Sequence, residues 1–212
     1  MSIVVEHEKR RKQILKKALD VFMEEGYEDA TYQKIADRCK ITRTTLYLYF
    51  HNKQEIFSFS IKQFMAEVEL DLLRAKEDTT LSIPSKIKKI LFLILSQMEE
   101  NRLLLSVILN YLLSKGVVGT GKVKNEDSPA GKRISRPQML VRRRTIRLRH
   151  ILSTMLIEGI KNGQLKKIDV GSINDRLYSL LEAAFFQLTV LKQETTAELK
   201  KAVELLADGI SN

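Results

Sequence analysis

Apolar residues recur three and four positions apart along nearly the whole chain, and little interrupts them. Only three prolines and nine glycines punctuate 212 residues dominated by Leu, Lys, Glu, Ile and Ala, so the chain reads as nearly all helix. A first helix is expected from about Glu6 to Glu25, with Ile14, Leu15, Ala18, Leu19, Val21 and Phe22 on one face and Gly26 as its stop. A second is expected from Tyr32 to Cys39 behind the cap Thr31, and a third, short one from Thr42 to near Phe50. Asn52 with Glu55 three residues on resembles a capping box opening a fourth, to about Ala75. After a break at Asp78–Thr80 and Pro84, helices are expected over Ser85–Glu100 and Leu103–Ser114. The charged, glycine-bearing stretch Lys115–Pro137 reads as a long loop. Three further helices are expected over Gln138–Lys161, Gly171–Lys192 and Thr196–Ile210. The fold class is all-α, about nine or ten helices.

Composition narrows the setting. At 44% apolar residues the chain can build a core, and its single cysteine, Cys39, forms no intrachain disulfide and suits a reducing compartment. The N-terminus carries charges where a signal peptide would be apolar. The strongest apolar stretch, Ile87–Leu95, is broken by Lys88 and Lys89 and is too short for a bilayer. A cytoplasmic protein without membrane insertion is therefore expected. Net charge is +10, unevenly placed: residues 1–55 carry +2, residues 56–114 none, residues 115–150 carry +9 and residues 151–212 carry −1.

The informative segment runs from Gly26 to Glu55. Two short helices joined by a brief turn behind a longer one form a helix-turn-helix arrangement. Ile35, Ala36, Cys39, Ile41, Leu46 and Phe50 supply its small apolar core, and Ala36 and Cys39 are small enough to let the helices approach. The third helix is left with Arg43, Thr44, Thr45, Tyr47, Leu48 and Tyr49. None is acidic. Arginine can pair with guanine edges, threonine methyls can meet thymine methyls, and hydroxyls can reach phosphates or bases.

Over this first quarter the chain resembles the tetracycline-repressor (TetR) family. The shared features are Ile14-Leu15-x-x-Ala18-x-x-x-Phe22, Gly26-Tyr27 and Thr31-x-x-x-Ile35-Ala36. They continue as Ile41-Thr42-x-x-x-Leu46-Tyr47-x-Tyr49-Phe50-x-x-Lys53-x-x-Ile56. Thr44 departs from the pattern, standing where the family often has a small residue such as glycine. The resemblance implies a DNA-binding head over residues 1–55 and a ligand-binding and dimerisation body over residues 56–212. By the same resemblance Gln33, Arg43, Thr44 and Thr45 would read bases, while Thr31, Tyr47, Tyr49 and Lys53 would grip phosphates. The implied partners are a near-palindromic double-stranded DNA operator, a second copy of the chain, and a small-molecule inducer that releases a repressor from that operator.

For the body, the resemblance implies a homodimer seam on two late helices, built from Leu148, Ile151, Leu152, Met155, Leu156, Leu177, Leu180, Leu181, Ala184 and Leu188. Phe92, Met98, Leu109, Met155, Tyr178 and Phe185 are candidate pocket-lining residues. No cofactor, metal site or catalytic grouping is expected: His7, His51 and His150 lack ligand spacing, and no nucleophile–base pair appears. An alternative of another class is a DNA-bound dimer whose body recruits a protein without an inducer. The basic run Arg142–Arg144 with Arg147 and Arg149 reads first as a solvated face leading out of the loop, with an anionic ligand or partner, a membrane-surface contact and auxiliary DNA contacts as the other readings.

Overall fold

In the computed structural model the described residues are 2–114, 136–194 and 196–212, and they are helical almost throughout. The chain runs α1 (Ser2–Asp29), α2 (Tyr32–Cys39), α3 (Arg43–Tyr47), α4 (Lys53–Glu77), α5 (Ile83–Glu100), α6 (Arg102–Ser114), α7 (Arg136–Lys161), α8 (Val170–Phe186) with a π-turn over Gln187–Leu191, and α9 (Thr196–Ile210). Most of the loop expected over Lys115–Pro137 lies outside the described residues. Its last two positions open α7 instead.

The helix ends follow local chemistry. Gly26 takes φ 79° and ψ 170°, outside the helical region, and kinks α1 three residues before its end. Thr31, Thr42 and Ser82 cap α2, α3 and α5, each accepting the backbone N–H three residues on. Pro84 does not precede α5 but sits in its first turn, where a missing N–H costs nothing. Asn52 Oδ1 accepts from the Glu55 N–H at 2.8 Å. The Glu55 carboxylate reaches back to the His51 N–H at 2.7 Å, one residue earlier than in a standard capping box. Helix α3 stops at Tyr47 rather than near Phe50, because the N–H groups of Tyr49 and Phe50 both turn onto the Leu46 carbonyl. The helix expected over Gly171–Lys192 changes to π geometry at Gln187, and Lys192 closes it in the left-handed region.

Two compact units emerge, one of Met1–Met65 with Ser106–Val141 and one of Ala66–Leu105 with Arg142–Asn212. The first holds Ile14, Ala18, Phe22, Ile35, Ala36, Leu46, Phe50, Ile56 and Phe57, all fully or almost fully buried. The second is centred on Ile87, Ile90, Leu91, Leu95, Leu152, Leu156, Leu177, Ala184 and Val203. The turn after α7 is secured by Gly163 at φ 69°. The Lys166 N–H donates to the Ile210 carbonyl at 2.9 Å, tying that turn to the end of α9.

Gly159 of α7 is closely packed in the second unit. A Cβ there would lie 2.6 Å and 2.7 Å from side-chain carbons of Leu165 and 2.9 Å from Ile83. Gly159→Ala gains about 1 kcal/mol of helix propensity but overpacks the site by about 1–3 kcal/mol. The expected outcome is a lower urea midpoint at unchanged denaturant slope; a raised midpoint would show that Leu165 moves aside freely.

Candidate nucleic-acid interface

The candidate interface is built on α3, whose five residues are fixed from behind by Leu46, fully buried, and from the front by the Thr42 cap. Thr42 Oγ1 accepts from the Thr45 N–H at 3.0 Å and lies 2.8 Å from the Thr45 hydroxyl. That contact holds Thr45 half-buried, while Arg43 and Thr44 stand in solvent. The Arg43 guanidinium leans over the Tyr47 ring, 5.8 Å from its centroid, with Nη2 3.4 Å from the Tyr47 hydroxyl. Tyr47 in turn lies flat on Tyr32 of α2, with ring centroids 4.6 Å apart and planes 16° apart. Arg43, Tyr47 and Tyr32 therefore form one stack, ending in an exposed cation.

Tyr32 anchors the stack. Its hydroxyl donates to the Phe50 carbonyl at 3.0 Å, joining α2 to the turn after α3. Burial, with Tyr47 beside it, pushes its pKa up to about 12. Tyr49 is half-buried and stacks on His7 of α1 at 4.6 Å. Leu48, between the two tyrosines, is 76% exposed. The expected base and phosphate residues thus differ in freedom. Thr44 is open and Tyr47 presents one face, whereas the Gln33 side-chain amide donates to Asp37 at 2.7 Å and Thr31 is engaged as the α2 cap. Nearby, Lys34 pairs with Glu25 at 2.7 Å, and Arg38 pairs with Glu24.

Lys53 is engaged within its own unit. Its ammonium donates to the Tyr27 and Glu28 carbonyls, each at 2.8 Å, and sits 4.6 Å from the Tyr27 ring centroid. It therefore satisfies carbonyls left open by the kink at Gly26. Below it, Tyr27 meets Phe22, Phe57 and Tyr111 in an aromatic cluster with centroid separations of 4.6–5.9 Å. Gln54 donates to the Tyr111 hydroxyl at 3.1 Å. The supporting roles of Tyr32, His7 and Tyr111 were missed from sequence. Tyr32 alone left a signal, an aromatic residue in the first turn of α2 where the helix faces its neighbour.

The residues expected in the body fall differently. Leu152, Met155, Leu156, Leu177 and Ala184, expected on a dimer seam, are fully covered within their own unit, and Ile151, Leu181 and Leu188 nearly so. Side chains without exposed area have none to bury against a partner. Leu148 and Leu180 are partly open. Of the expected pocket residues, Met155 is core, and Phe92, Met98, Tyr178 and Phe185 are partly buried in the second unit. Leu109 groups with the first unit instead. Tyr178 donates to Thr145 at 3.1 Å beneath the Arg149 guanidinium.

Comparison with known proteins agrees with this geometry. The profile of bacterial regulatory proteins of the tetR family matches residues 14–58. A fatty acid metabolism regulator protein of Bacillus subtilis (strain 168) is 26% identical over 216 residues, spanning 94% of this chain and 95% of its own. A TetR transcription regulator from Haloarcula marismortui superposes with a TM-score of 0.78 at 17% identity, over 97% of this chain and all of its own. A transcriptional regulator FadR from Bacillus subtilis in complex with stearoyl-CoA superposes with a TM-score of 0.64 at 22% identity, over 93% of this chain and 98% of its own. Among the described residues no helix is long and apolar enough to cross a membrane.

Tyr27 and Tyr32 give the first unit an alkaline limit. Burial pushes both phenols up to about 12, above an unfolded value of about 10. Their contribution to stability is then whole below about pH 10 and is lost as pH rises through about 12. Tyrosinate absorbance and helical circular dichroism should change together in that window. Two tyrosines ionising well before helix is lost would contradict this.

Proposed function

We propose, from the premise that this chain belongs to the tetR family of bacterial regulatory proteins and is a DNA-binding transcriptional regulator, that it is a repressor released from its operator by a small molecule. The observation carrying this reading is the exposed edge of α3. A short helix held by Leu46 and Thr42 presents Arg43, Thr44 and Tyr47, with no acidic side chain among its five residues. Arg43 is the candidate for guanine edges in the major groove and Thr44 for a thymine methyl. Thr45 and Gln33 complete the base-reading set, with Thr31, Tyr47, Tyr49 and Lys53 on phosphates. Lys53 would approach DNA while its ammonium also holds two carbonyls. In this reading residues 1–55 bind DNA, residues 56–212 bind the effector and the second copy, and the protein works in the cytoplasm.

The proposed effector is a fatty acyl-CoA. Two similar proteins support it, the fatty acid metabolism regulator and the stearoyl-CoA complex. They also favour effector control over a body that only recruits another protein. Release follows if the acyl-CoA binds the DNA-incompetent arrangement of the dimer more tightly than the competent one.

For the homodimer the exposed apolar residues at the end of α8 and its π-turn, Phe186, Val190 and Leu191, replace the buried seam expected from sequence. Leu205 on α9 is also exposed. A twofold axis through such a patch brings each residue against its own copy's neighbourhood. Leu191→Asp should convert the dimer to monomer in sedimentation while leaving the helical spectrum unchanged. A variant that remains dimeric would place the seam elsewhere.

Selection of bound duplexes from a random pool, repeated across a salt series, tests the DNA reading. A near-palindrome is expected, with stearoyl-CoA lowering its occupancy. Arg43→Ala should cost about 1–3 kcal/mol and relax preference at one position of each half-site. Sequence-blind binding by the native protein would sink the reading.

A further inference from the structure

The arginine run of α7 has no part in the interface above. Arg144 and Arg147 stand three residues apart on one face of the helix, and both hold the same carboxylate. Glu69 of α4 receives Arg147 Nη1 at Oε1, 2.5 Å away, and Arg144 Nη1 at Oε2. The Glu69 side chain is 16% exposed, against 28% for Arg144 and 55% for Arg147. Arg149 is committed to the other side of the helix, paired with Asp175 and lying 4.7 Å over the Tyr178 ring. One carboxylate thus answers two guanidiniums, and Arg143, exposed and four residues before Arg147, adds a third cation on the same side.

Two forked guanidiniums around one pair of oxygens match a phosphate as well as a carboxylate, and a phosphate brings a third oxygen and more charge. Glu69 has somewhere to go, since Ala66, Glu67 and Leu70 around it on α4 are exposed. We infer that Arg143, Arg144 and Arg147 form a binding site for the phosphate groups of a small-molecule effector, which Glu69 fills as a tethered stand-in until it is displaced. The inference rests on the effector reading above only for which compound brings the phosphate. A tethered competitor lowers apparent affinity by the fraction of sites it occupies. Removing its charge must then tighten binding, and the native chain must already bind the anion through these arginines, which a merely structural ion pair would not do. DNA also offers phosphate, but these arginines belong to the unit without the recognition helix, and a carboxylate already sits between them.

The test is calorimetric titration of the full-length protein with pyrophosphate and with coenzyme A, beside operator-release assays with stearoyl-CoA. Glu69→Gln, which keeps the shape and a hydrogen-bonding oxygen, should bind pyrophosphate about tenfold more tightly than the native chain. Arg144→Gln and Arg147→Gln should weaken it at least about tenfold. Arg147 is the most exposed of the three, so its variant keeps the test alive if Glu69→Gln fails to fold. Unchanged pyrophosphate affinity in Glu69→Gln, or in both arginine variants, overturns the site. So does a lowered salt slope of operator binding in the Arg144→Gln/Arg147→Gln double variant with pyrophosphate binding intact, which would assign these arginines to DNA. If the pyrophosphate order holds but stearoyl-CoA never releases the operator, the anion site stands and the acyl-CoA assignment falls. If stearoyl-CoA releases the operator while pyrophosphate affinity is indifferent to every variant, the anion site falls and the acyl-CoA assignment stands.

Discussion

The geometry of the candidate DNA-reading surface depends on a cluster of rings that never touches it. Phe22 and Tyr27 come from α1 on either side of its kink, Phe57 from α4 and Tyr111 from α6. Edge and tilted contacts between aromatic rings add directional preference to plain apolar burial, and here they fix where α4 begins. The start of α4 holds Lys53, which closes the carbonyls at the kink, and Asn52, whose cap sets the residue from which the helix is counted. Arg11 caps the other flank, its guanidinium 4.4 Å from the Phe59 ring centroid and 5.2 Å from that of Phe50. Phe50 sits at the end of the turn after α3 and accepts from Tyr32. Five residues of recognition helix cannot hold themselves, being far below the length at which an isolated helix is stable. Their position is inherited from this buried frame.

Much of this was legible in the sequence, for reasons that can be named. The caps at Thr31 and Thr42 were readable because a hydroxyl before a helical run has one good use. Gly26 was readable because little else tolerates its dihedral. The apolar faces of α1, α2 and α5 follow helical period and lie where that period placed them. What could not be read was partnership between distant segments. Lys53 announces a cation at a helix start, which fits a phosphate and a pair of carbonyls equally well. The Tyr27–Tyr111 pairing joins residues far apart in sequence, and no local pattern points from one to the other.

The same limit explains the dimer seam. Apolar spacing on α7 and α8 says that a face is buried, not by what, and in this chain Leu152, Leu156 and Leu177 are buried by their own unit. The exposed apolar residues proposed for a partner, Phe186, Val190 and Leu191, lie where α8 loosens into a π-turn, so their spacing departs from the helical period that reveals a face. Irregular geometry hides an exposed apolar surface from periodicity.

Charge placement constrains how such a regulator can be switched. Residues 1–55 carry only +2, and around α2 and α3 several cations are already committed: Lys34 to Glu25, Arg38 to Glu24, Lys53 to backbone carbonyls. Affinity that rested on many phosphate contacts would fall steeply with salt and would read little sequence. In the proposed reading, sequence preference draws on the fit of Arg43, Thr44 and Tyr47 to a groove edge, and that fit is sensitive to the spacing of two heads on one duplex. Under that proposal a change of a few kcal/mol in the preferred arrangement of a dimer would be enough to empty an operator. In that proposal the effector-binding part of the chain would not have to unfold or to shield the DNA surface. It would have only to prefer a different spacing when an anion takes the place of the Glu69 carboxylate.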